Sequence, residues 1–399
     1  MKKSLLALAV LGAFTSIASA QSSVTLYGRI DQNVTLQDPG SNASANGTSK
    51  KGSSLVKLND GGINGFGPSR LGFRGTEDLG NGLKAFFKIE AAISADAGTA
   101  GGSTTLNPTG NSFFNRSAYL GLSHDSLGEI RLGRQESLSR ENNVKFNDIS
   151  SENQFNIVEK LESTTDKSGK GSRPLFQNFG VRVDNGIRYT TPQFSGIQGS
   201  VIVGLGERLA NPVPATPVFD ATTGAFVKTN PATIQKAATY RGLSVVYAAG
   251  PLAVDVIYED LRGGEVSHGD YNNVVTVGGS YDFGLAKVAT AYQHTNNLGG
   301  QFDAINVGSA FVKGNNVNAW NVGLAVPLNA FTFKVQYTGS NLHRPNGASS
   351  LYQDKYGGSL EYALSKRTMV YATAVGRGGD NSSYYSRQSE YTMGLAHTF

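Results

Sequence analysis

Apolar and polar residues alternate with a period of two in many segments of the chain. In one of the clearest, Val275, Val277 and Tyr281 share one face while Thr276 and Ser280 share the other. Successive side chains of a β-strand point to opposite sides, so this pattern is typical of a strand with one apolar and one polar face. The alternation recurs from one end of the chain to the other and predicts an all-β fold.

Sixteen such segments can be delimited, to within about two to four residues at each boundary. They lie near 24–36, 69–75, 83–93, 115–123, 129–135, 181–192, 197–206, 236–248, 252–261, 273–283, 285–295, 318–326, 331–340, 355–364, 367–376 and 388–399. The connections between them alternate between short and long. Short ones such as Gly250-Pro251 hold turn residues, and the long ones cover 37–68, 94–114, 136–180, 207–235, 262–272, 296–317, 341–354 and 377–387.

This rhythm indicates an antiparallel up-and-down barrel that crosses an outer membrane, with short periplasmic turns and long external loops. A β-sandwich is the competing fold, but its Greek-key connections give no reason to place every second loop at one end. Backbone groups cannot bond to water in a bilayer, so the first strand, from Val24, must pair with the last, which ends at Phe399. A barrel of sixteen strands is too wide for side chains to fill, so its lumen holds water.

The first twenty residues have the layout of a secretory signal peptide. Lys2 and Lys3 precede an apolar stretch over 5–14, and Ala18-Ser19-Ala20 forms a cleavage site of small residues. We therefore expect a signal peptide at 1–20 and one barrel domain at 21–399. That domain has no apolar run near the ~18 residues that a membrane-spanning helix needs, so the membrane must be crossed by strands.

Composition narrows the chemistry. Glycine supplies 50 of the 399 residues and tyrosine (17) and phenylalanine (20) are plentiful, whereas cysteine is absent, which excludes disulfides and thiolate chemistry. The net charge of +5 comes without a Lys/Arg-rich run, so nothing points to nucleic acid. The histidines show no metal-ligand or catalytic spacing. We expect no enzyme activity and no required cofactor; loop-bound calcium or magnesium is left open, since no motif demands it.

Five segments carry a resemblance to a known family. They are VTLYGR at 24–29, SRLGFRGTEDLGNG at 69–82, NRSAYLGL at 115–122, RVDNGIRY at 182–189 and GLAHTF at 394–399. In their order and spacing they resemble Gram-negative general-diffusion porins, and in detail the betaproteobacterial porins of the Neisseria and Burkholderia type. The resemblance covers essentially the whole mature chain.

The resemblance implies an outer-membrane homotrimer of sixteen-stranded barrels, each with its own pore, in contact with lipid and lipopolysaccharide. It also implies that the third external loop folds into the lumen and narrows it. Here that loop is 136–180, the longest connection in the chain and polar throughout. A loop of this length needs a functional reason. Inward folding supplies one, and an external cap is the alternative.

Strand parity decides which charged side chains point into the lumen. It places there Arg29, Arg70, Arg74, Lys84, Lys88, Arg131, Arg182, Arg188 and Lys334. Arg116 shares its parity with the apolar Ala118 and Leu120, a conflict that a bulge or a strand end would resolve. The resemblance places Arg116 in the lumen.

By the resemblance, the basic cluster on one wall of the constriction corresponds to Arg29, Arg70, Arg116 and Arg182. The third loop would set acidic residues against it, and the candidates are Glu141, Asp148 and Glu152. That loop departs from the acidic-Phe-Gly pattern of enteric porins. The other lumenal basic residues are Arg74, Arg131, Arg188 and Lys334. The alternative role for such cations is to pair with carboxylates such as Asp31 and Glu90 and stiffen the wall.

We therefore expect a channel for passive diffusion of small hydrophilic solutes, anionic and neutral, with a preference for anions set by charged rings at the narrowest point. An attractive potential of about 1.4 kcal/mol there enriches an anion tenfold over a neutral solute. The alternative is a substrate-specific channel for organic or inorganic anions, which would need a binding ladder. Parity shows a basic wall but no aromatic ladder. An adhesin acting through the external loops is a third possibility.

Overall fold

The structure is a computed structural model that describes residues 23–38, 54–61, 69–102, 112–147, 182–206, 217–220, 225–228, 239–262, 271–296, 316–343, 350–378 and 389–399. The predicted signal peptide at 1–20 lies outside these residues. Twenty strands occur among them. They are β1 (Ser23–Asp38), β2 (Leu55–Asp60), β3 (Arg70–Gly80), β4 (Leu83–Ser94), β5 (Thr99–Ala100), β6 (Ser117–His124), β7 (Gly128–Glu136), β8 (Arg182–Thr190), β9 (Ile197–Gly204), β10 (Pro217–Asp220), β11 (Ala225–Lys228), β12 (Thr239–Ala249), β13 (Leu252–Arg262), β14 (Tyr271–Asp282), β15 (Lys287–Asn296), β16 (Asn316–Leu328), β17 (Phe331–His343), β18 (Leu351–Ala363), β19 (Thr368–Gly378) and β20 (Ser389–Thr398).

Sixteen of the twenty described strands form a closed antiparallel barrel in which each strand pairs with its neighbours along the chain. The order around the barrel is β1, β3, β4, β6, β7, β8, β9 and then β12 to β20. β20 pairs with β1 from Arg29↔Thr398 to Asp38↔Ser389, and Gly28 and Phe399 exchange backbone hydrogen bonds of 3.0 and 3.1 Å. The predicted sixteen-stranded barrel, closed by its first and last strands, is confirmed.

The two sides of the barrel wall have opposite polarity. Along β1, Asp31, Asn33 and Thr35 point inward and are buried, whereas Val34 and Leu36 point outward and are exposed. This is the reverse of a soluble protein and is the pattern of a barrel with lipid outside and a polar lumen inside. Among the described residues, no helix is long and apolar enough to cross a membrane.

Tight turns join the strands at the end of the barrel that holds Ser23 and Phe399. Between β3 and β4 the turn residues Asn81 and Gly82 both have positive φ, 54° and 80°. An Asn-Gly pair with two positive φ angles is the turn whose twist matches the right-handed twist of the paired strands. These short turns hold each hairpin in register.

Four short strands lie in segments predicted to be loops, so that part of the prediction is wrong. β2 pairs with β1 over Gln32–Gln37, beyond the stretch of β1 that pairs with β3. β5 pairs with the end of β4, and β10 with β11. β2 completes the ladder where β3 ends. Segments of two to six residues are too short for alternation to reveal.

The third external connection turns into the lumen, as predicted. It begins at Ser137, because Glu136 still belongs to β7, and continues as the short helix α1 (Leu138–Asn142) and a π-helical turn (Asn143–Asn147). The Ser137 hydroxyl caps α1 by accepting the Arg140 N–H at 3.2 Å. The segment is not polar throughout, since it contains the apolar residue Leu138, whose side chain is fully buried. Residues 148–180 of this connection lie outside the described residues.

Candidate functional site

The described part of the third loop is anchored to one side of the lumen. Leu138 is completely buried in an apolar cluster that contains Val183, Ile202, Tyr240, Ile257 and Val274. The Ser139 N–H donates to Glu259 Oε1 at 2.8 Å, and the Tyr240 hydroxyl donates to the same oxygen. These side chains come from β8, β9 and β12 to β14, so the loop is fixed on that wall and leaves a gap to the opposite one.

Two glycines of this wall make room for the loop. A Cβ added to Gly242 of β12 would lie 2.9 Å from Leu138 Cδ1, and one added to Gly278 of β14 would lie 2.5 Å from the Asn147 side chain. Any larger residue at either position would push against the loop. The wall is therefore shaped for the backbone path that the loop takes.

The gap between the loop and the wall of β1, β3, β4, β6 and β7 is a passage of about 680 Å³. Its charged lining consists of Arg70, Arg74, Lys88, Arg131, Lys145, Glu90, Glu136 and Glu141. Five of these side chains are basic and three are acidic. The described residues that line the passage therefore carry an excess of positive charge.

The Glu141 cluster joins the loop to the basic wall. Glu141 of α1 forms ion pairs with Arg188 and with Lys145 (2.6 Å), and Arg131 Nη1 lies 3.8 Å from it. Burial raises the pKa of the Glu141 carboxyl, but the charges of Arg188, Lys145 and Arg131 outweigh this and hold the pKa well below its usual range. The candidate Glu141 thus faces Arg131 and Arg188. The other two acidic candidates, Asp148 and Glu152, lie outside the described residues.

An arginine cluster borders the passage on its other side. Arg182 lies close enough to interact electrostatically with Arg116, Arg140 and Arg134. Carboxylates of the wall pair with members of this cluster: Arg116 Nε donates to Glu90 Oε1 at 2.5 Å, Arg134 pairs with Asp184, and Arg182 Nη2 lies 3.8 Å from Glu136. Glu90 and Glu136 also line the passage, so the arginine cluster and the passage are contiguous.

The four arginines expected at the constriction lie in three different surroundings. Arg116 and Arg182 belong to the arginine cluster, and Arg70 lines the passage. Arg29 is opposite Arg70 in the β1–β3 ladder but is only 6% exposed, so its neighbours in the wall cover it. Arg116 precedes β6, which begins at Ser117, and the strand end resolves its parity conflict.

Two members of the arginine cluster were missed by the sequence analysis. Arg134 has the parity of the outward-facing Leu132, but the β7–β8 register shifts between Gly133 and Gln135. A bulge of this kind turns the next side chain to the other face, and Arg134 Nε reaches the Asn115 carbonyl at 2.7 Å. The glycine inside the strand pattern was the available signal. Arg140 lies in a loop, where parity gives no direction.

Among the other lumenal basic residues, Arg74 lines the passage and Lys334 does not contribute to it. Lys334 of β17 forms an ion pair of 2.6 Å with Glu361 of β18, and both side chains are buried. This pair fits the alternative role of the basic residues, in which a cation pairs with a carboxylate and stiffens the wall. The Arg116–Glu90 ion pair is buried in the same way. Among the described residues, no group of His, Asp and Glu side chains is arranged to hold a metal ion.

Aromatic rings also line the passage. They belong to Tyr27, Phe86 and Tyr119 on β1, β4 and β6. The Tyr27 hydroxyl donates to Glu90 Oε2 at 2.8 Å. The sequence analysis did not bring these three rings together on one side of the barrel.

A closed barrel with an apolar outer face, a polar lumen and a charged passage beside an inward-folded loop defines a β-barrel membrane channel. The family model described as Gram-negative porin matches residues 7–382. Over 100% of both chains, the protein is 30% identical to an outer membrane porin protein of Bordetella pertussis. It is also 30% identical to outer membrane porin protein 32 of Delftia acidovorans, over 99% of this chain and 92% of that one. The chain belongs to the Gram-negative porin family.

Solved structures agree on the fold. An anion-selective porin from Comamonas acidovorans superimposes with a TM-score of 0.65 at 24% identity, covering 95% of this chain and all of that one. A trimer form of OmpT from Vibrio cholerae gives 0.60 at 15% identity, covering 95% of this chain and 99% of that one. The predicted betaproteobacterial porin, a channel for passive diffusion in the outer membrane and not an enzyme, is confirmed.

Proposed function

We propose that this porin prefers anions and that the preference arises in the passage beside the third loop. The observation that carries the proposal is the concentration of four guanidinium groups, Arg116, Arg134, Arg140 and Arg182, at the border of the passage. The described charged residues that line the passage itself are five basic and three acidic side chains. An anion that moves between the loop and the wall passes beside this positive charge.

The third loop acts as the constriction in this proposal. Its described part lies against β12 to β14 and forces solutes along the basic wall of β1 to β7. The Debye length at physiological ionic strength is about 8 Å, so salt screens a charge only weakly for a solute that passes close beside it. We expect charges that lie more than a Debye length from the passage to contribute little to selectivity. The Comamonas acidovorans porin with this fold is described as anion-selective, which supports the proposal.

The reversal potential of the purified protein in a planar bilayer under a KCl gradient tests the proposal. We expect a chloride-selective potential for the unaltered protein and a potential close to zero for the variant Arg70→Ala/Arg140→Ala/Arg182→Ala. Arg116 is left unchanged because its removal would strand the buried Glu90 carboxylate. The matched control is Arg241→Ala, which removes one charge from the outer face of β12. Selectivity that survives the triple substitution would refute the assignment.

We also propose that the protein is a homotrimer in contact with outer-membrane lipid and lipopolysaccharide. The trimer form of the similarly folded OmpT from Vibrio cholerae supports the homotrimer, and the exposed apolar outer faces of the strands suit a lipid environment. Unheated electrophoresis in mild detergent, with and without prior chemical crosslinking, distinguishes three copies from one.

A further inference from the structure

Two of the three aromatic rings in the passage lie over glycines of the adjacent strand. The proposed attraction of anions does not need these rings. Tyr27 pairs across the ladder with Gly72, and Phe86 pairs with Gly121. A Cβ on Gly72 would lie 2.5 Å from Tyr27 Cζ, and one on Gly121 would overlap the Phe86 ring. Each ring therefore lies flat over the glycine of the next strand, with one face on the wall and the other towards the lumen.

Basic side chains alternate with these rings. The guanidinium carbon of Arg74 lies 5.3 Å from the centre of the Tyr27 ring, and Lys88 Nζ lies 6.0 Å from it. On the adjoining strands, the Arg131 guanidinium lies 5.3 Å from the centre of the Tyr119 ring. The Tyr119 ring meets the Phe86 ring edge to face at 6.3 Å. The wall thus offers apolar faces and cationic groups within one solute diameter of each other.

The rings could have a simpler role, because aromatic side chains also cover glycines on the outer face of this barrel. Tyr356 covers Gly376 on that face, where no solute passes. The rings of the passage differ in their surroundings. They face water beside Arg74, Lys88 and Arg131, and Glu141 lies across the gap. Glu90 and Glu136 also line the passage, but Glu90 is paired with Arg116 and Lys88, and Glu136 with Arg182. A carboxylate would therefore be attracted to the basic wall and repelled by Glu141 across the gap, which directs it towards the rings.

We propose that the passage contains a binding subsite for aromatic carboxylates. The carboxylate of such a solute pairs with Arg74, and Lys88 and Arg131 add to the attraction from their ion pairs with Glu90 and Glu129. The ring of the solute packs on the faces of Tyr27 and Phe86 and beside Tyr119, which meets Phe86 edge to face. An inorganic anion gains only the charge interaction, whereas an aromatic anion also gains apolar and ring-ring contact. The inference rests on the proposed anion preference of the same passage and adds the class of solute that is retained there.

The experiment measures chloride conductance of the reconstituted full-length protein while benzoate is added. Acetate and cyclohexanecarboxylate serve as matched solutes, the first with no ring and the second with a ring that has no π-face. We expect benzoate to lower the conductance in a saturable way, with a half-saturating concentration about threefold or more below that of cyclohexanecarboxylate. Acetate should show no saturation. Equal half-saturation by the two ring compounds, or no saturable effect of benzoate, would overturn the inference.

Variants locate the subsite. Phe86→Leu and Tyr119→Leu keep apolar bulk but remove the ring face, and each should raise the half-saturating concentration of benzoate about threefold or more. Tyr281→Leu, on the outer face of β14, is the control and should leave it unchanged. Unchanged benzoate binding in both ring variants would show that the rings serve only the wall.

The two proposals fail separately. Retained chloride selectivity without a benzoate effect would overturn this inference alone. Benzoate block in a pore without chloride selectivity would overturn the proposed anion preference and leave the ring subsite standing.

Discussion

The Leu138 side chain of the third loop lies directly over Gly242 of β12, so close that a Cβ on the glycine would be 2.9 Å from Leu138 Cδ1. This contact joins the only buried apolar residue of the described loop segment to a wall position that has no side chain. The loop is therefore held by packing as well as by the Ser139–Glu259 hydrogen bond. The position of the loop decides where the passage lies.

Leu138→Ala should loosen the loop without unfolding the barrel. Removing a buried leucine side chain costs about 2 to 5 kcal/mol, and here the loss falls on the contact between loop and wall. We expect larger fluctuations of single-channel current and faster proteolytic cleavage in the third loop. Leu120→Ala, on the exposed outer face of β6, is the matched control. Current noise and cleavage identical to the unaltered protein would mean that Leu138 does not anchor the loop.

A double-mutant cycle tests whether Leu138 and Gly242 act together. Gly242→Ala should destabilise the folded barrel, because the new methyl group meets Leu138 and Ile202 at 2.9 Å. In the Leu138→Ala background one of these clashes is absent, so the same substitution should cost less by about 0.5 to 3 kcal/mol. Urea unfolding of the four proteins in detergent gives the four free energies. Strict additivity would contradict the contact.

Much of the architecture could be predicted from the sequence because a barrel wall repeats one rule. Alternation and the long–short rhythm of the connections were enough for sixteen strands and their closure. The rule fails where the backbone departs from the regular strand. Arg116 lies just before β6, so its parity was in conflict, and Arg134 lies in a bulge, so its parity gave the wrong face. The third loop was described as polar throughout, so Leu138 was not singled out, and its partners come from five other strands.

The aromatic part of the passage was missed for a related reason. Tyr27 and Tyr119 have lumenal parity, but parity alone gives no sign that they come together with Phe86. Their grouping depends on which strands are neighbours and on the glycines opposite them, Gly72 and Gly121. If the register between strands had been known, each aromatic residue could have been matched with the glycine opposite it in the adjacent strand, and the group of rings would have been predicted.

Glu141→Gln should strengthen anion preference. The substitution removes a negative charge that pairs with Arg188 and Lys145 and releases these cations towards the lumen. One unit charge about 6 Å away in water-like surroundings changes the local concentration of an ion about threefold. The chloride-to-potassium permeability ratio should rise by that order, and Asp282→Asn, at the exposed end of β14, should not change it. A ratio that falls in Glu141→Gln would contradict the charge assignment.

The depressed pKa of Glu141 gives a prediction for acidic solutions. A carboxyl with a lowered pKa in the folded protein adds stability above its ordinary pKa, and that stability is lost as the pH falls through the lowered value. At about pH 4.5, close to the ordinary pKa of glutamate, Glu141 should still be charged. The difference in permeability ratio between the unaltered protein and Glu141→Gln should therefore be the same at pH 7 and at about pH 4.5. Convergence of the two proteins at the lower pH would show that Glu141 titrates normally.

The most direct test of the central claim is the chloride-to-potassium permeability ratio of the unaltered protein as a function of salt concentration. The claim is that lumenal charge sorts the ions, and charge is screened over about 30 Å at 0.01 M, 10 Å at 0.1 M and 3 Å at 1 M. We predict a ratio well above one in dilute KCl that falls towards one at about 1 M. A ratio near or below one in dilute salt, or one that does not change with salt, would contradict the account.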